Sequence, residues 1–358
     1  MLAAVTAVVC WLPGVAAPLG AREVATVTFV EGRPHLVRDG RPLLRRVEPG
    51  FGVESFDAIR TGEGETLELL FDRPPDFDLL VRVAARSHVS IHLTAPGAQS
   101  PGVLGLIAGS IAVSVRGLPR DSSLEVHSSA GTVRVRGTVF AVTLSPDGAM
   151  LVTAEAGVVE VRGPGGPTLY ARRGEAVEID VYAGGVRTLR FDGEAPQELQ
   201  RGWLERRAAW TAEHRAQVVR LRGQSYRAAR DGFTAAYAEL MGHRERIDEL
   251  MDAAERGLSV TGSRADEDSR LLEALVRVEA WMRELEPLYA VFDSLASHPG
   301  DEAPEVEIDE GYSAADLLQL VANDRRLMTE RFATVRHVLK VSAELRDGTP
   351  RAFPEASP

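Results

Sequence analysis

His88 and His92 stand four residues apart, a spacing that on a helix would bring two imidazoles to one face and suit a shared metal ion. The intervening Val89-Ser90-Ile91 reads as strand. Residues four apart on a strand lie about 13 Å apart, too far for one ion. Gly62-x-Gly64 has the glycine spacing of a phosphate-binding turn, but Leu67-Glu68-Leu69 continues behind it as strand. Phosphate capture needs the unpaired N–H groups of a helix N-terminus, so a hairpin turn is the simpler reading. Asp121, His127, Ser128 and Ser129 supply the residue types of a hydrolytic triad within one short polar stretch, without a G-x-S-x-G elbow. The single cysteine, Cys10, excludes an intramolecular disulfide and a cysteine-based metal site. No catalytic residue, cofactor-binding residue or metal ligand is therefore expected, and no enzymatic turnover.

Two further stripes could bind something. Residues 201–230 carry Arg201, Arg206, Arg207, Arg215, Arg220, Arg222, Arg227 and Arg230 against only Glu205 and Glu213. Such a face could dock an anionic lipid surface or an acidic partner. It could equally be a solvated helix face balanced by the acidic stretch 301–310, which is the simpler reading. Trp203, Trp210, Phe233 and Tyr237 could stack on a glycan if exposed, but at helical spacing they fit a bundle core better.

These residues sit in two grammars. From 24 to 191 short Val-, Leu-, Ile- and Thr-rich runs alternate with charged or small residues and are separated by glycine turns, the pattern of tightly connected strands. Strands are read at 24–30, 67–71, 79–83, 89–93, 111–115, 133–135, 139–144, 150–153, 158–161 and 176–181. Val133, Val135, Phe140, Val142, Val159 and Val161 are expected to face inward. Arg38-Asp39-Gly40-Arg41 and Pro146-Asp147-Gly148-Ala149 read as hairpin turns. The imperfect strand–glycine–strand units suit either a stacked β-solenoid or a sandwich.

From Pro196 the period changes to three or four. Glu198 to Arg256 reads as helix, weakened by Gly223, Gly232 and Gly242. Arg264 to Ser297 carries Leu271, Leu275, Val278, Met282, Leu285, Tyr289 and Phe292 on a/d spacing, with a kink expected at Pro287. Ser313-Ala314-Ala315-Asp316 opens a third helix as a capping box, running to about Arg346. The expected architecture is β then α: an all-β domain over 24–191, then an antiparallel hairpin or three-helix coiled-coil-like domain over 196–346. That helical unit is expected to fold separately and to project from the β domain. Residues 347–358 are expected to be a disordered tail.

The β grammar also carries a family resemblance. Val133-Arg134-Val135-Arg136-Gly137-Thr138-Val139-Phe140-Ala141-Val142 resembles the V-x-V-x-G-T-x-F-x-V core of FecR-type periplasmic domains. Asp57-Ala58-Ile59-Arg60-Thr61-Gly62, the Gly109 step, Glu155-Ala156-Gly157-Val158-Val159-Glu160-Val161 and Arg173-Gly174-Glu175 are similar to that family's other steps, in order. The resemblance covers about 45–182, and its motif positions are Thr61, Gly62, Gly109, Gly137, Thr138, Phe140, Gly157 and Gly174. It implies a solenoid-like β module and an extracytoplasmic address. FecR proteins are inner-membrane regulators with a cytoplasmic tail that controls a sigma factor. Nothing but Met1 precedes the apolar run here, so that activity is not expected.

Length and composition fit this outline. A chain of 358 residues with 44% hydrophobic and 26% charged residues has room for about two domains. A net charge of −11 gives no reason to expect nucleic-acid binding. Lys340 is the only lysine, which reads as coding bias. Residues 1–21, with the apolar run Leu2–Pro13 and small residues near Ala16 and Ala21, read as a signal peptide or, if uncleaved, an N-terminal anchor. The expected function is an exported, non-catalytic binding or scaffold protein of the cell envelope, without cofactor. Its partner would be an envelope protein or cell-wall component, and membrane contact would come only through 1–21. Homo-oligomerisation through the helices is left open. A FecR-type signalling component and a cell-wall enzyme are the alternatives.

Overall fold

The computed structural model of the chain describes residues 23–71, 78–92, 102–116, 123–135, 137–191, 195–256, 264–296 and 306–348. Segment 1–21 and the tail beyond Gly348 lie outside the described residues. The strands are β1 (Glu23–Glu31), β2 (His35–Arg38), β3 (Arg41–Pro42), β4 (Gly52–Glu54), β5 (Ala58–Arg60), β6 (Thr66–Phe71), β7 (Asp78–Val83), β8 (His88–His92) and β9 (Gly102–Ala108). They continue with β10 (Ser110–Arg116), β11 (Leu124–Ser128), β12 (Gly131–Val135), β13 (Val139–Leu144), β14 (Met150–Ala156), β15 (Val158–Arg162), β16 (Thr168–Arg172), β17 (Glu175–Asp180) and β18 (Gly185–Arg190).

They form two nine-stranded sheets. The first has the order β18-β17-β14-β13-β10-β7-β6-β1-β4, the second β16-β15-β12-β11-β9-β8-β5-β2-β3. From β6 onward, hairpins are delivered to the two sheets in alternation, so each sheet grows in one direction as the chain advances. That is the progression of a solenoid carried out with hairpins, and the two sheets close on each other as a sandwich. The lone strand β10 crosses to the first sheet between β9 and β11, which is why those two run parallel. Period-2 patterning buries one face of each sheet. Val133, Val135, Phe140, Val142, Val159 and Val161 all lie in the shared core. Phe140 pairs with Val113 on one side and Ala154 on the other.

The helices are α1 (Pro196–Glu213), α2 (Arg215–Met241), α3 (Arg244–Glu255), α4 (Ala265–Ala296) and α5 (Ala314–Gly348), with a small hairpin of β19 (Glu307–Asp309) and β20 (Tyr312–Ser313) before α5. The single helix expected over 198–256 is three. The first break is at His214, whose ring stacks on Trp210 at 4.5 Å and whose Nδ1 lies 3.0 Å from the Trp210 carbonyl. The second follows Gly242. Gly232 stays inside α2 because a Cβ there would lie 2.5 Å from the Trp281 ring on α4. The close approach offsets the helix-propensity cost of glycine. The a/d seam of α4 is buried throughout, from Leu271 to Phe292. Ser313 and Asp316 form the expected capping box: the Asp316 carboxylate accepts from the Ser313 N–H at 2.9 Å, and the Asp316 N–H donates to Ser313 Oγ at 3.2 Å.

The order β then α holds, but the helices do not project. Leu199 and Trp203 of α1 pack on Ala149, Leu151 and Ala176 of the first sheet. Helices α4 and α5 lie against the outer side of the second sheet. The reason is chemical. His92 of β8, His127 of β11 and Asp39 of the β2–β3 turn meet Glu279, Arg283 and Lys340 of α4 and α5, so docking satisfies both.

Candidate functional site

The structure places the candidates from the sequence that lie among the described residues. His88 and His92 sit at the two ends of β8 and meet different groups. His92 lies 3.5 Å from Glu279 of α4, and His88 Nε2 accepts from Arg60 Nε at 3.4 Å. Because a guanidinium can only donate, His88 is neutral with its proton on Nδ1. Among the described residues no group of three or more His, Cys, Asp or Glu is gathered for a metal. The Gly62 turn leads into β6 as a hairpin. Its Gly62 N–H is taken by the Glu65 carboxylate at 2.5 Å, which occupies the place an anion would need. Ser128 Oγ donates to the Gly131 carbonyl at 3.1 Å, Ser129 lies in the turn between β11 and β12, and Asp121 lies outside the described residues.

The motif positions fall in turns and in the β core. Thr61 Oγ1 donates to the Ala84 carbonyl at 2.6 Å and accepts from the Ser87 N–H at 2.9 Å, tying the β5–β6 turn to the β7–β8 turn. Gly109, Gly137, Gly157 and Gly174 all have positive φ, and Gly62 does not. At Gly137 a Cβ would meet nothing within 4 Å, so the backbone angle of +77° alone calls for glycine there. Thr138 and Phe140 are buried.

The arginine stripe is chiefly a joint. Asp147, in the β13–β14 turn, is fully buried and pairs with buried Arg207, which also donates to Asp180 at 3.0 Å. The Asp147 carbonyl accepts from Arg222 Nη2 at 2.8 Å and from the Tyr182 hydroxyl at 2.6 Å. Gly148 has φ +87°, and a Cβ there would come within 2.3 Å of Arg222 Nη2. Burial raises Tyr182 to about 12 against the pull of Arg222, so it stays a neutral donor. Further along α2, Arg215 donates to the Leu295 carbonyl, Arg220 to the Glu307 carbonyl, and Arg227 and Arg230 pair with Asp309 and Asp324. Arg201 and Arg206 are exposed on α1. The aromatic stripe divides. Phe233 is bundle core, but Trp203 seats on the first sheet and donates to Glu178 at 3.0 Å.

A second joint lies at the other end of the sheets. Lys340 of α5 reaches Asp39 at 2.9 Å and Glu54 at 2.7 Å, and Arg38 holds Asp57 at 2.7 Å beside them. Hydrogen bonding from His337, then Lys340, holds the Asp39 carboxyl far below the usual range despite burial.

Between these joints α4 is fastened to the second sheet by a chain of charges. Glu279 accepts from Arg283 at 2.9 Å, Arg283 donates to His127 Nδ1 at 3.2 Å, and His127 Nε2 donates to Glu125 at 2.7 Å. Hydrogen bonding from His127, opposed by burial and reinforced by Arg134, holds Glu125 at about 2. Burial pushes Glu279 up, but His92 and Arg283 more than offset it and hold it at about 2. Both pKa values are depressed below the ordinary value of about 4.3. Their stabilisation is therefore full above that pH and is lost as pH falls towards 2. Denaturation midpoints should drop between pH 5 and pH 2, with α4 released from the sheet. A midpoint constant across that range would contradict the fastening.

The layer is not sealed. A cavity of about 510 Å³ remains between the second sheet and α4–α5. Its walls include Phe56, Ile107, Tyr289 and Phe332, and its polar groups include Arg60, His88 and Arg336. A smaller cavity of about 260 Å³ adjoins it and shares Ile107, Glu286 and Arg336. Arg336 pairs with Glu286, and Arg325 donates to Asp293 at 2.9 Å. Arg60 lines the cavity and makes no ion pair within 4 Å among the described residues, though Glu286 and Asp293 attract its charge from a distance. Burial, followed by Arg60 and Arg336, holds His88 well below the usual histidine range. Two hydroxyls nearby are committed to backbone, Thr61 as described and Ser87 Oγ to the Ser110 carbonyl at 3.1 Å, and the Tyr289 hydroxyl pairs with that of Tyr226 at 3.0 Å. Four guanidinium groups, of Arg60, Arg86, Arg325 and Arg336, line the cavity against the carboxylates of Glu286 and Asp293. Sequence reading missed it because its lining comes from strands and helices far apart in the chain.

Residues 57–160 match the family model described as FecR protein, so the resemblance read from the motifs holds. The chain is similar to two solved structures described as a "putative anti-sigma factor from Parabacteroides distasonis ATCC 8503". Each has 19% identity and a TM-score of 0.32, and each match covers 37% of this chain. This chain spans 59% of the length of those structures' chains. No curated protein matches. Among the described residues, no helix is long and apolar enough to cross a membrane.

Proposed function

We propose that the chain is an exported, non-catalytic binding protein of the cell envelope, whose FecR-type β region engages a protein or cell-wall partner. The observation that carries this is the FecR match over 57–160, which takes in strands of both sheets from β5 to β15. Extended β surfaces offer backbone edges and loops to such partners without needing a cofactor. The docked helices restrict which β surfaces are presented. Phe29 and Leu70, 42% and 36% exposed on the first sheet, are among the apolar groups left open to a partner. The commitment of Thr61, Ser87 and Ser128 hydroxyls to backbone supports a binding role over turnover.

The apolar run Leu2–Pro13 also favours a second reading, an N-terminally anchored component of a FecR-type signalling system. Fractionation of cells expressing the full chain, with N-terminal sequencing of the product, separates the two. Export with cleavage near Ala16 or Ala21 is expected. An intact chain in the membrane fraction would favour the anchored component. An intact chain retained in the cytoplasm would overturn both.

A further inference from the structure

We propose that the cavity between the second sheet and the α4–α5 layer binds a small organic anion, one carboxylate or phosphate head group on a compact apolar body. This goes beyond the envelope-binding reading, which needs no small ligand. A volume of about 510 Å³ lies within the usual range of small-molecule sites. The lining has the two chemistries such a ligand requires. Phe56, Ile107, Tyr289 and Phe332 give apolar walls from the β4–β5 turn, β9, α4 and α5. Four guanidinium groups, of Arg60, Arg86, Arg325 and Arg336, line it against only two carboxylates, of Glu286 and Asp293.

Two of those arginines are under-used. Arg60 makes no ion pair within 4 Å among the described residues, and Glu286 and Asp293 act on its charge only from a distance. Its Nε reaches His88 at 3.4 Å, a neutral acceptor that removes none of its charge. Arg336 is buried on α5 and pairs with Glu286 while its own Nε has no hydrogen-bond partner. A buried unpaired donor costs free energy unless something meets it. An oxyanion entering beside Arg60 would meet a charge-assisted fork of donors, the strongest recognition available to it. His88, with its Nδ1 proton, adds a neutral donor to the same cavity.

The test is isothermal titration calorimetry of the full chain with benzoate, phenyl phosphate and the neutral control benzamide. At least one anion should bind one-to-one and benzamide should not. Comparing the benzoate and phenyl phosphate arms identifies the head group. Arg60→Ala should weaken the binding anion roughly tenfold or more. Arg60→Gln serves as the second variant should the alanine chain lose stability. Ala290→Trp, which fills the cavity from α4, should abolish binding while the melting temperature holds. The proposal is overturned if neither anion binds at millimolar concentration, or if binding survives both the Arg60 and the Ala290 substitutions unchanged. Neither result bears on export or on envelope partners, so the two readings fail separately.

Discussion

Asp147→Ala should destabilise the chain by about 3–5 kcal/mol, the cost of removing one partner of a buried ion pair. The Asp147 side chain has no solvent exposure, and Arg207 across from it is nearly as enclosed. Without the carboxylate, Arg207 keeps Asp180, at 3.0 Å, as its one anionic partner among the described residues, with the Trp210 ring 4.6 Å from its guanidinium. The turn would also lose Ser145 Oγ, which donates to the same carboxylate. Asp147→Asn, which retains an acceptor but not the charge, should cost less. The double variant Asp147→Ala/Arg207→Ala should cost less than the sum of its parts, because the stranded charge is gone. Denaturant titrations of the unaltered chain, Asp147→Ala, Asp147→Asn, Arg207→Ala and the double variant measure these differences. A loss under about 1 kcal/mol for Asp147→Ala would mean that the β13–β14 turn does not carry the helices.

Phe140→Ala is the second large effect, expected at about 3–5 kcal/mol. Phe140 is 1% exposed near the start of β13, between Val113 and Ala154, in a core drawn from both sheets. Neighbouring strands hydrogen-bond on each side, so the backbone cannot collapse into the space. A residual cavity should remain, and cavity volume adds to the transfer cost. A melting temperature unchanged by the substitution would remove Phe140 from the core and with it the inward face of the motif strand.

The inward face of β12, β13 and β15 was legible because period-2 alternation needs only local sequence, and so was the α4 seam from Leu271 to Phe292. Strands such as β9 were harder. Gly102 and Gly105 break its apolar run, and Gly105 is there because Ser90 Oγ crowds the position a Cβ would take, at 2.3 Å. Nothing local reports that contact. The arginines of 201–230 were legible as a charged face, but their role depends on partners elsewhere in the chain. Arg207 finds Asp147 sixty residues upstream. Trp203 was read into the bundle because its spacing is helical, and spacing cannot say which surface a helix face meets. Lys340 is the sharpest case: its rarity looked compositional, and the structure gives it two carboxylate partners. The cavity could not be read at all, since Arg60, His88, Ala290 and Arg336 become neighbours only once α4 and α5 dock on the second sheet.

That docking is the central claim, and the single lysine gives it a direct test. Zero-length carbodiimide coupling joins an amine to a carboxylate already in contact with it. Lys340 Nζ lies 2.9 Å from Asp39 and 2.7 Å from Glu54. Peptide mass spectrometry of the coupled, monomeric chain should show Lys340 joined to the peptide carrying Asp39 or Glu54. Lys340 freely acetylated by an amine reagent, and coupled to no carboxylate of the β region, would show that the helices stand away from the sheets.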